Sequence, residues 1–238
     1  FLTGAPKTYR AVVRFGFATD TYDAAGTPVG PERTVRPDPA ELEAALAAFR
    51  GRYDQVPPPV SAKRVGGRRA YELARRGQET VLAPVPVEVF DLRLVEVAGD
   101  CATLHLTCSA GFYVRALAHD LGQRLGTGAH LAGLCRERVG PFGIEQAVPL
   151  ATVVGSPADA AASVLPMRDL LAGYPLVTLT PEGRRRAGHG QPVRPGDVAT
   201  AADLSQIRDL AGLVDEDGSL LGVARARSGA LHPVVVLM

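Results

Sequence analysis

Residues 109–126 read SAGFYVRALAHDLGQRLG, and this stretch decides how the middle of the chain folds. Small residues and two aromatics come first, and the apolar residues after them recur at the spacing of one helix face: Val114, Leu117, Leu121 and Leu125. This spacing is typical of an amphipathic helix, and a glycine just after the last periodic residue is a common stop signal. The pattern therefore predicts a turn followed by a helix that ends at Gly126.

Arg115 lies in the first turn of this predicted helix. The helix dipole is positive there and disfavours a cation by a few tenths of a kcal/mol up to about 1 kcal/mol. We expect a carboxylate, either buried or facing a ligand, to hold the guanidinium in place. The downstream sequence offers no obvious partner, which directs the search to the segment before Phe1.

Strands and other helices are predicted on both sides of this stretch. Residues 8–15 alternate between apolar and polar and predict a strand, and Asp38-Pro39 has the pattern of an N-cap and a first helical residue. Two alternating segments flank a hairpin tip at 98–100, the first with Phe90, Leu92 and Leu94 on one face. Because strands and helices mix without strict alternation, we predict an α+β fold with a mixed, largely antiparallel sheet flanked by helices.

The composition and hydrophobic pattern of the sequence change in its last third. Residues 151–173 are rich in Ala, Ser and Pro and predict a connecting helix or linker. Beyond them short apolar segments alternate with turn signals such as Asp217-Gly218. The sequence therefore predicts a larger domain over 1–150, the connecting segment over 151–173, and a small β-rich domain over 174–238.

Composition limits the class of protein. The chain has 238 residues, 46% of them apolar, which is enough for one large or two modest domains with real cores. No apolar run reaches the ~18 residues of a membrane span, and no signal peptide opens the sequence. The three cysteines form no CxxC pair and are predicted to be small core residues of a protein in a reducing, cytoplasmic environment.

Charge is informative only locally. The net charge is +1, but bases outnumber acids between Lys63 and Arg76, where a short basic helix is predicted over 70–76, and again at 184–186. Basic patches of this kind suit contacts with a phosphate backbone, although an ordinary solvated face would show the same pattern.

Several motifs in order and at matching spacing resemble the TruB family of bacterial tRNA pseudouridine synthases. The helix stretch continues into Gly128-Ala129-His130, which the resemblance implies is a turn, and then into Leu134-Cys135-Arg136. Other blocks are KTYR at 7–10, TDTYD at 19–23, QVPPPVSAK at 55–63 and LPM at 165–167. The resemblance covers most of the chain, and it implies a pseudouridine synthase core followed by a PUA-like domain that contacts RNA.

The resemblance also implies roles for particular residues. Tyr9 matches a tyrosine that stacks on the flipped uracil, Tyr113 a second tyrosine of the pocket, and Leu134 an apolar residue that contacts the base. Arg115 matches the arginine that pairs with the catalytic aspartate. RNA contacts are implied at three further positions: Asp23, Lys63 and Arg136.

The family's catalytic aspartate belongs to a motif, G-x-L-D-P-x-A-x-G, that this sequence does not contain. Asp38-Pro39 is its only Asp-Pro pair, and that pair is predicted to cap a helix. In family register the aspartate would lie upstream of Phe1, so we expect the 238 residues alone to be inactive. The alternative is a non-catalytic module that binds RNA or helps tRNA to fold.

The implied reaction converts a uridine of the tRNA T loop, at position 55, to pseudouridine by flipping the base out of its stack and rejoining it through carbon. The implied partner is the T stem-loop of tRNA, and the protein is expected to be a monomer without a membrane association. No cofactor is expected, since neither a nucleotide-binding glycine motif nor metal-ligand spacing among the five histidines occurs.

Overall fold

The chain divides into two compact units, Leu2–Ala147 and Val148–Met238. The structure, a computed structural model, describes residues 1–61, 63–65, 68–69, 82–199 and 204–237. The basic helix predicted over 70–76 lies outside the described residues. None of the helices in the described part of the chain has the length and apolar character needed to cross a bilayer.

A six-stranded antiparallel sheet forms the larger unit. Its strands are β1 (Lys7–Phe15), β4 (Gly51–Gln55), β7 (Val85–Ala98), β8 (Cys101–Cys108), β9 (Ala129–Val139) and β10 (Phe142–Gly143). Their order across the sheet is β10-β9-β1-β8-β7-β4. Four two-residue strands form small ribbons, β2 (Ala18–Thr19) with β3 (Pro28–Val29) and β5 (Arg64–Val65) with β6 (Arg68–Arg69).

The central strand β1 confirms the alternation seen in the sequence. Ala11, Val13 and Phe15 are at most 1% exposed and enter the main core, while Arg10 and Arg14 point to the other face. The largely antiparallel α+β fold predicted from the sequence is therefore confirmed.

Two helices cover the core face of this sheet. The first, α1 (Pro39–Leu46), is capped by Asp38, whose Oδ1 accepts hydrogen bonds from the amides of Ala40 at 2.8 Å and Glu41 at 3.0 Å. The second, α2 (Val114–Arg124), buries its predicted apolar face against β1 and β9. Gly126 follows it with a φ of +68°, the left-handed conformation typical of a residue just past a helix C-terminus.

The helix α2 lies close against β9 at Gly122. A Cβ placed there would clash with the amide nitrogen of Ala129 and lie 2.5 Å from Ala129 Cβ. Only a residue without a side chain fits, so Gly122 sets how closely α2 approaches the sheet.

Three sequence expectations differ from the structure. Phe90 is 53% exposed and does not share the buried face of Leu92, because a bulge between Val89 and Asp91 interrupts the alternation. His130, expected in a turn, belongs to β9 and is 3% exposed. Of the three cysteines, Cys135 is exposed and not a core residue, since it lies in the later part of β9, where most residues are exposed.

The smaller unit is built on a four-stranded sheet. Its order is β11 (Leu176–Thr178), β12 (Leu210–Val214), β13 (Leu220–Arg227) and β14 (Ala230–Val236), with β11 parallel to β12 and the other pairs antiparallel. Before it come α3 (Leu150–Gly155), α4 (Pro157–Ala162) and a 3₁₀ turn at Met167–Leu171. The helix α5 (Pro181–Gly188) follows β11, so this unit is the small β-rich fold expected from the sequence.

Candidate functional site

Arg115, the second residue of α2, makes the ion pair around which the site is built. Its Nη1 donates to Oδ2 of Asp23 at 2.9 Å and to the carbonyl of Thr21 at 3.3 Å, and its Nη2 donates to the carbonyl of Val60 at 2.8 Å. The two charged side chains are only 26% and 25% exposed. The structure thus gives Arg115 a carboxylate within the chain, and that carboxylate belongs to a residue the sequence predicts as an RNA contact.

The surroundings of Asp23 keep its carboxylate charged. Burial alone would raise its pKa, but hydrogen bonds from the Thr21 hydroxyl at 2.7 Å and the Ala25 amide at 3.1 Å, together with Arg115, outweigh that effect. The net result is a pKa below the ordinary value of an aspartate. Asp23 therefore remains an anion throughout the physiological range.

The loop that carries Asp23 is held against the start of β9. The amide of Ala24 donates to the carbonyl of Leu131 at 3.0 Å, and the amide of Leu131 donates to the carbonyl of Tyr22 at 2.9 Å. Tyr22 itself has a φ of +67°, a left-handed conformation that a non-glycine residue adopts only when its surroundings impose it. The docked loop supplies that constraint.

A ring stack also fixes the loop to α2. The rings of Tyr22 and His119 lie 3.7 Å apart between centroids at an angle of 8°. His119 is one helical turn after Arg115, so the same face of α2 binds the loop twice. Burial lowers the pKa of His119, and the ring in the stack is therefore the neutral form at pH 7.

Asp120 is a site feature that the sequence pattern does not reveal. Burial raises its pKa to about 6. Its charge adds to burial in raising the pKa of both Tyr22 and Tyr53. Only its place beside the apolar stripe of α2 marks it in the sequence, and that signal does not distinguish it from an ordinary surface carboxylate.

Tyr113 precedes α2 and is held through its main chain. Within the described residues no side chain caps this helix start. Instead Gln55, at the end of β4 and 1% exposed, accepts from the Tyr113 amide at 2.8 Å and donates to the Tyr113 carbonyl at 3.1 Å. The family resemblance includes the sequence block that contains Gln55, but it does not reveal this contact.

Three of the predicted residues share one face of the sheet. Tyr9 on β1 lies opposite Arg136 on β9, and Ala11 lies opposite Leu134. Burial raises the pKa of Tyr9, and the Arg136 guanidinium partly counteracts that rise. Leu134 is 49% exposed, so this face presents an open apolar surface next to a phenol and a guanidinium.

Lys63 is partly exposed, and no hydrogen bond or ion pair between described residues joins it to the residues above. In the described ranges, no group of three or more His, Cys, Asp or Glu side chains could hold a metal ion. The arrangement as a whole is an open, polar and aromatic surface suited to positioning a flat ring and an anionic backbone.

Two solved structures have folds similar to that of this chain. A Cbf5–Nop10–Gar1 complex matches with a TM-score of 0.70 at 20% identity, covering 99% of this chain and 68% of that one. An H/ACA ribonucleoprotein bound to a substrate RNA containing 2'-deoxyuridine matches with a TM-score of 0.67 at 18% identity, covering 100% and 67%. The chain therefore shares the fold of these two structures.

Sequence comparison gives the family. The N-terminal domain of the TruB family pseudouridylate synthases matches residues 1–114, and the C-terminal domain of tRNA pseudouridylate synthase B matches residues 115–172. The tRNA pseudouridine synthase B of Cereibacter sphaeroides is 39% identical over 236 residues, covering 98% of this chain and 76% of the relative. The corresponding protein of Burkholderia mallei is 41% identical with the same coverage.

A third relative, the tRNA pseudouridine synthase B of Solibacter usitatus, is 43% identical over 179 residues, and the match covers 74% of this chain and 61% of the relative. The chain belongs to the TruB family of pseudouridine synthases.

Proposed function

We propose that the protein to which these 238 residues belong isomerises a uridine of the tRNA T loop, at position 55, to pseudouridine. The observation that carries this proposal is the placement of Arg115 and Tyr113 at the start of α2 in a chain of the TruB family. The reaction needs no cofactor, because the bond to the ribose is broken and re-formed by groups of the protein and the nucleotide.

The nucleophile in this proposal is an aspartate from a segment upstream of Phe1. Arg115 has the donors to receive it. A guanidinium carries five N–H donors, and three of them hydrogen-bond to described atoms, namely those of Thr21, Asp23 and Val60. The others can bind a second carboxylate, which a paired arginine would keep ionised and therefore nucleophilic.

The flipped base is proposed to lie between the pocket tyrosines. Tyr9 offers a half-buried ring for stacking, and Leu134 offers an exposed apolar side chain on the same face of the sheet. A flipped base is held by such stacking and apolar contacts. Tyr113 supplies the second ring of the proposed pocket.

RNA contacts outside the pocket are proposed at Arg136, Lys63 and the smaller unit, which we take to be PUA-like. Oδ2 of Asp23 already accepts from Arg115, and its Oδ1 accepts from the Thr21 hydroxyl and the Ala25 amide, so a direct RNA contact would use the remaining lone pair of Oδ2. The bases of α5 each have an acidic neighbour, for instance Arg185 with Glu182 at 2.7 Å, so the smaller unit offers RNA no unbalanced positive patch at this helix. We further propose that the protein acts as a monomer.

The decisive test uses the full reading frame, tRNA transcripts and release of tritium from uridine labelled at carbon 5. Tyr9→Ala should lower single-turnover conversion by at least about 100-fold and change the Kd for tRNA by less than about 5-fold, because the stacked ring acts on the flipped state. Phe90→Ala is the matched control, since it removes a 53% exposed aromatic from the same sheet.

Equal losses of binding and conversion in Tyr9→Ala would favour the non-catalytic RNA-binding module instead. A T-loop transcript with cytidine at position 55 should bind but release no tritium from that position. Conversion at another uridine only would contradict the assigned position. The 238 residues alone should bind tRNA without converting it.

A further inference from the structure

Gln55 is the most completely buried polar side chain in the described part of the larger unit, at 1% exposure. Its amide makes three hydrogen bonds: Oε1 accepts from the Tyr113 amide, and Nε2 donates to the Tyr113 carbonyl and to the Tyr53 hydroxyl at 3.3 Å. A primary amide has two donors and one acceptor oxygen, so both donors are in use. A side chain satisfied in this way is rigid.

The contact joins the end of β4 to the start of α2. Gln55 and Tyr113 are 58 residues apart, and the Tyr113 carbonyl also accepts the first hydrogen bond of α2, from the amide of Leu117 at 3.2 Å. The position of that peptide therefore sets both where α2 begins and how its first turn is rotated. Arg115 lies in that turn.

The segment that follows Gln55 makes a second contact with the same helix turn. After Pro57, Pro58 and Pro59, the carbonyl of Val60 accepts from Nη2 of Arg115 at 2.8 Å. Proline fixes φ, so the distance between the two anchoring points varies little. The run from Gln55 to Val60 thus holds the backbone of Tyr113 and the side chain of Arg115 together.

Aromatic contacts from β4 also hold the residues that precede α2 in place. Tyr53 meets Phe112 edge to face at 6.5 Å between centroids and meets Phe49 in the same way at 5.8 Å. Phe112 directly precedes Tyr113. The hydroxyl of Tyr53 accepts a hydrogen bond from Gln55, so the packing of the Tyr53 ring also restricts the position of the Gln55 amide.

We propose that Gln55 is a positioning residue: its side-chain amide holds the Tyr113 peptide and so orients Tyr113 and Arg115 toward the reacting uridine. This inference rests on the proposed function for its catalytic consequence. A displacement of about 1 Å at such groups costs roughly 100-fold in rate, whereas RNA contacts elsewhere on the protein are unaffected.

The test compares three variants in the full-length protein. Gln55→Met keeps the volume but removes all three hydrogen bonds, and single-turnover conversion of tRNA at saturating enzyme should fall roughly 100-fold with Kd unchanged. Gln123→Met is the matched control, because Gln123 is exposed on α2, and its rate should equal that of the wild type. A Gln55→Met rate within about 3-fold of wild type would overturn the proposal.

Gln55→Glu separates positioning from a general loss of structure. The carboxyl group that this substitution introduces has one donor and one acceptor when protonated, and it then reproduces the pair of bonds to Tyr113. When ionised it cannot donate to the Tyr113 carbonyl. The rate of Gln55→Glu relative to wild type should therefore rise as the pH falls toward 5, and that of Gln55→Met should not. Parallel pH profiles for the two variants would mean a structural role only.

Hydrogen exchange tests the contact between Gln55 and the Tyr113 peptide without relying on the reaction. A peptide containing the Tyr113 amide should exchange at least 10-fold faster in Gln55→Met than in wild type, with the control unchanged. If wild type converts no uridine, the proposed function fails while exchange still tests whether Gln55 holds Tyr113. Unchanged exchange in Gln55→Met would overturn the proposal whatever the activity.

Discussion

Nη1 of Arg115 lies 2.9 Å from Oδ2 of Asp23, although the two residues are 92 positions apart in the sequence. The pair joins a loop docked on β9 to the first turn of α2. Each side chain also hydrogen-bonds to other groups of the site, so the pair is part of a network and not an isolated surface contact. Its energetic contribution should exceed that of an exposed ion pair.

Replacing Asp23 with Asn should lower the free energy of unfolding by about 1–2 kcal/mol, because a hydrogen bond to a charged partner is lost and Arg115 keeps its charge. Glu145→Gln is the control, since the Arg138–Glu145 pair is 46% and 61% exposed and should contribute less to stability than the Asp23 network. Urea unfolding followed by circular dichroism measures both. An equal effect in the two variants would show that the network adds nothing.

The stabilising effect of Asp23 should depend on pH in a defined direction. Its pKa in the folded protein is lower than in the unfolded chain, so its contribution is complete above the unfolded pKa of about 3.9 and is lost as the pH falls through the folded value. The difference in stability between wild type and Asp23→Asn should therefore be constant from pH 5 to 7 and shrink below pH 4. A difference that grows on acidification would contradict this assignment.

Asp120 should show the opposite dependence. Its folded pKa of about 6 exceeds the unfolded value of about 3.9, so the folded state binds the extra proton and stability decreases as the pH rises between them. Asp120→Asn removes this loss. Linkage alone would give about 2 kcal/mol between pH 4 and pH 6, and solvent screening of this half-exposed group reduces the expected gain of the variant over wild type to about 1 kcal/mol, with no further change above pH 7, as measured by urea unfolding at each pH. If the difference in unfolding free energy between the variant and wild type stayed constant across that range, Asp120 would not be the group that titrates.

Gly122→Ala should be strongly destabilising, by about 2–3 kcal/mol, because the added Cβ meets the backbone at Ala129 and α2 would have to move away from β9. Gly4→Ala is the matched control, since a Cβ there has nothing within 4 Å, and it should be near neutral. Thermal unfolding distinguishes them. Equal melting temperatures for the two variants would show that α2 has room to shift.

Local signals make much of the fold predictable. A few neighbouring residues are enough to predict the cap at Asp38, the apolar period of α2 and the alternation of β1. The strand β9 is not predictable in this way, because its first residues are buried and its later ones are mostly exposed on both faces, so it carries no regular alternation. Its conformation is imposed by pairing with β1.

Family resemblance proposes the members of the site but does not give their contacts. Family resemblance points to Tyr9, Tyr113 and Arg115, whereas the bonds from Asp23 and Gln55 depend on residues brought together from far apart in the chain. A single sequence carries no information on such pairings. For the same reason Asp120 resembles any other helix carboxylate until its burial is known.

The place of β1 in the sheet affects how the protein folds during synthesis. Its two partners are β8 and β9, and Lys7 pairs with Cys108 on one side and Val139 on the other. At ribosomal speeds of about 5–20 residues per second, β1 waits on the order of ten seconds for its last partner. Until then it is an apolar segment with an unpaired edge, so the tendency of nascent chains to aggregate is greatest before β9 emerges, and closure of the central sheet is a late, slow step.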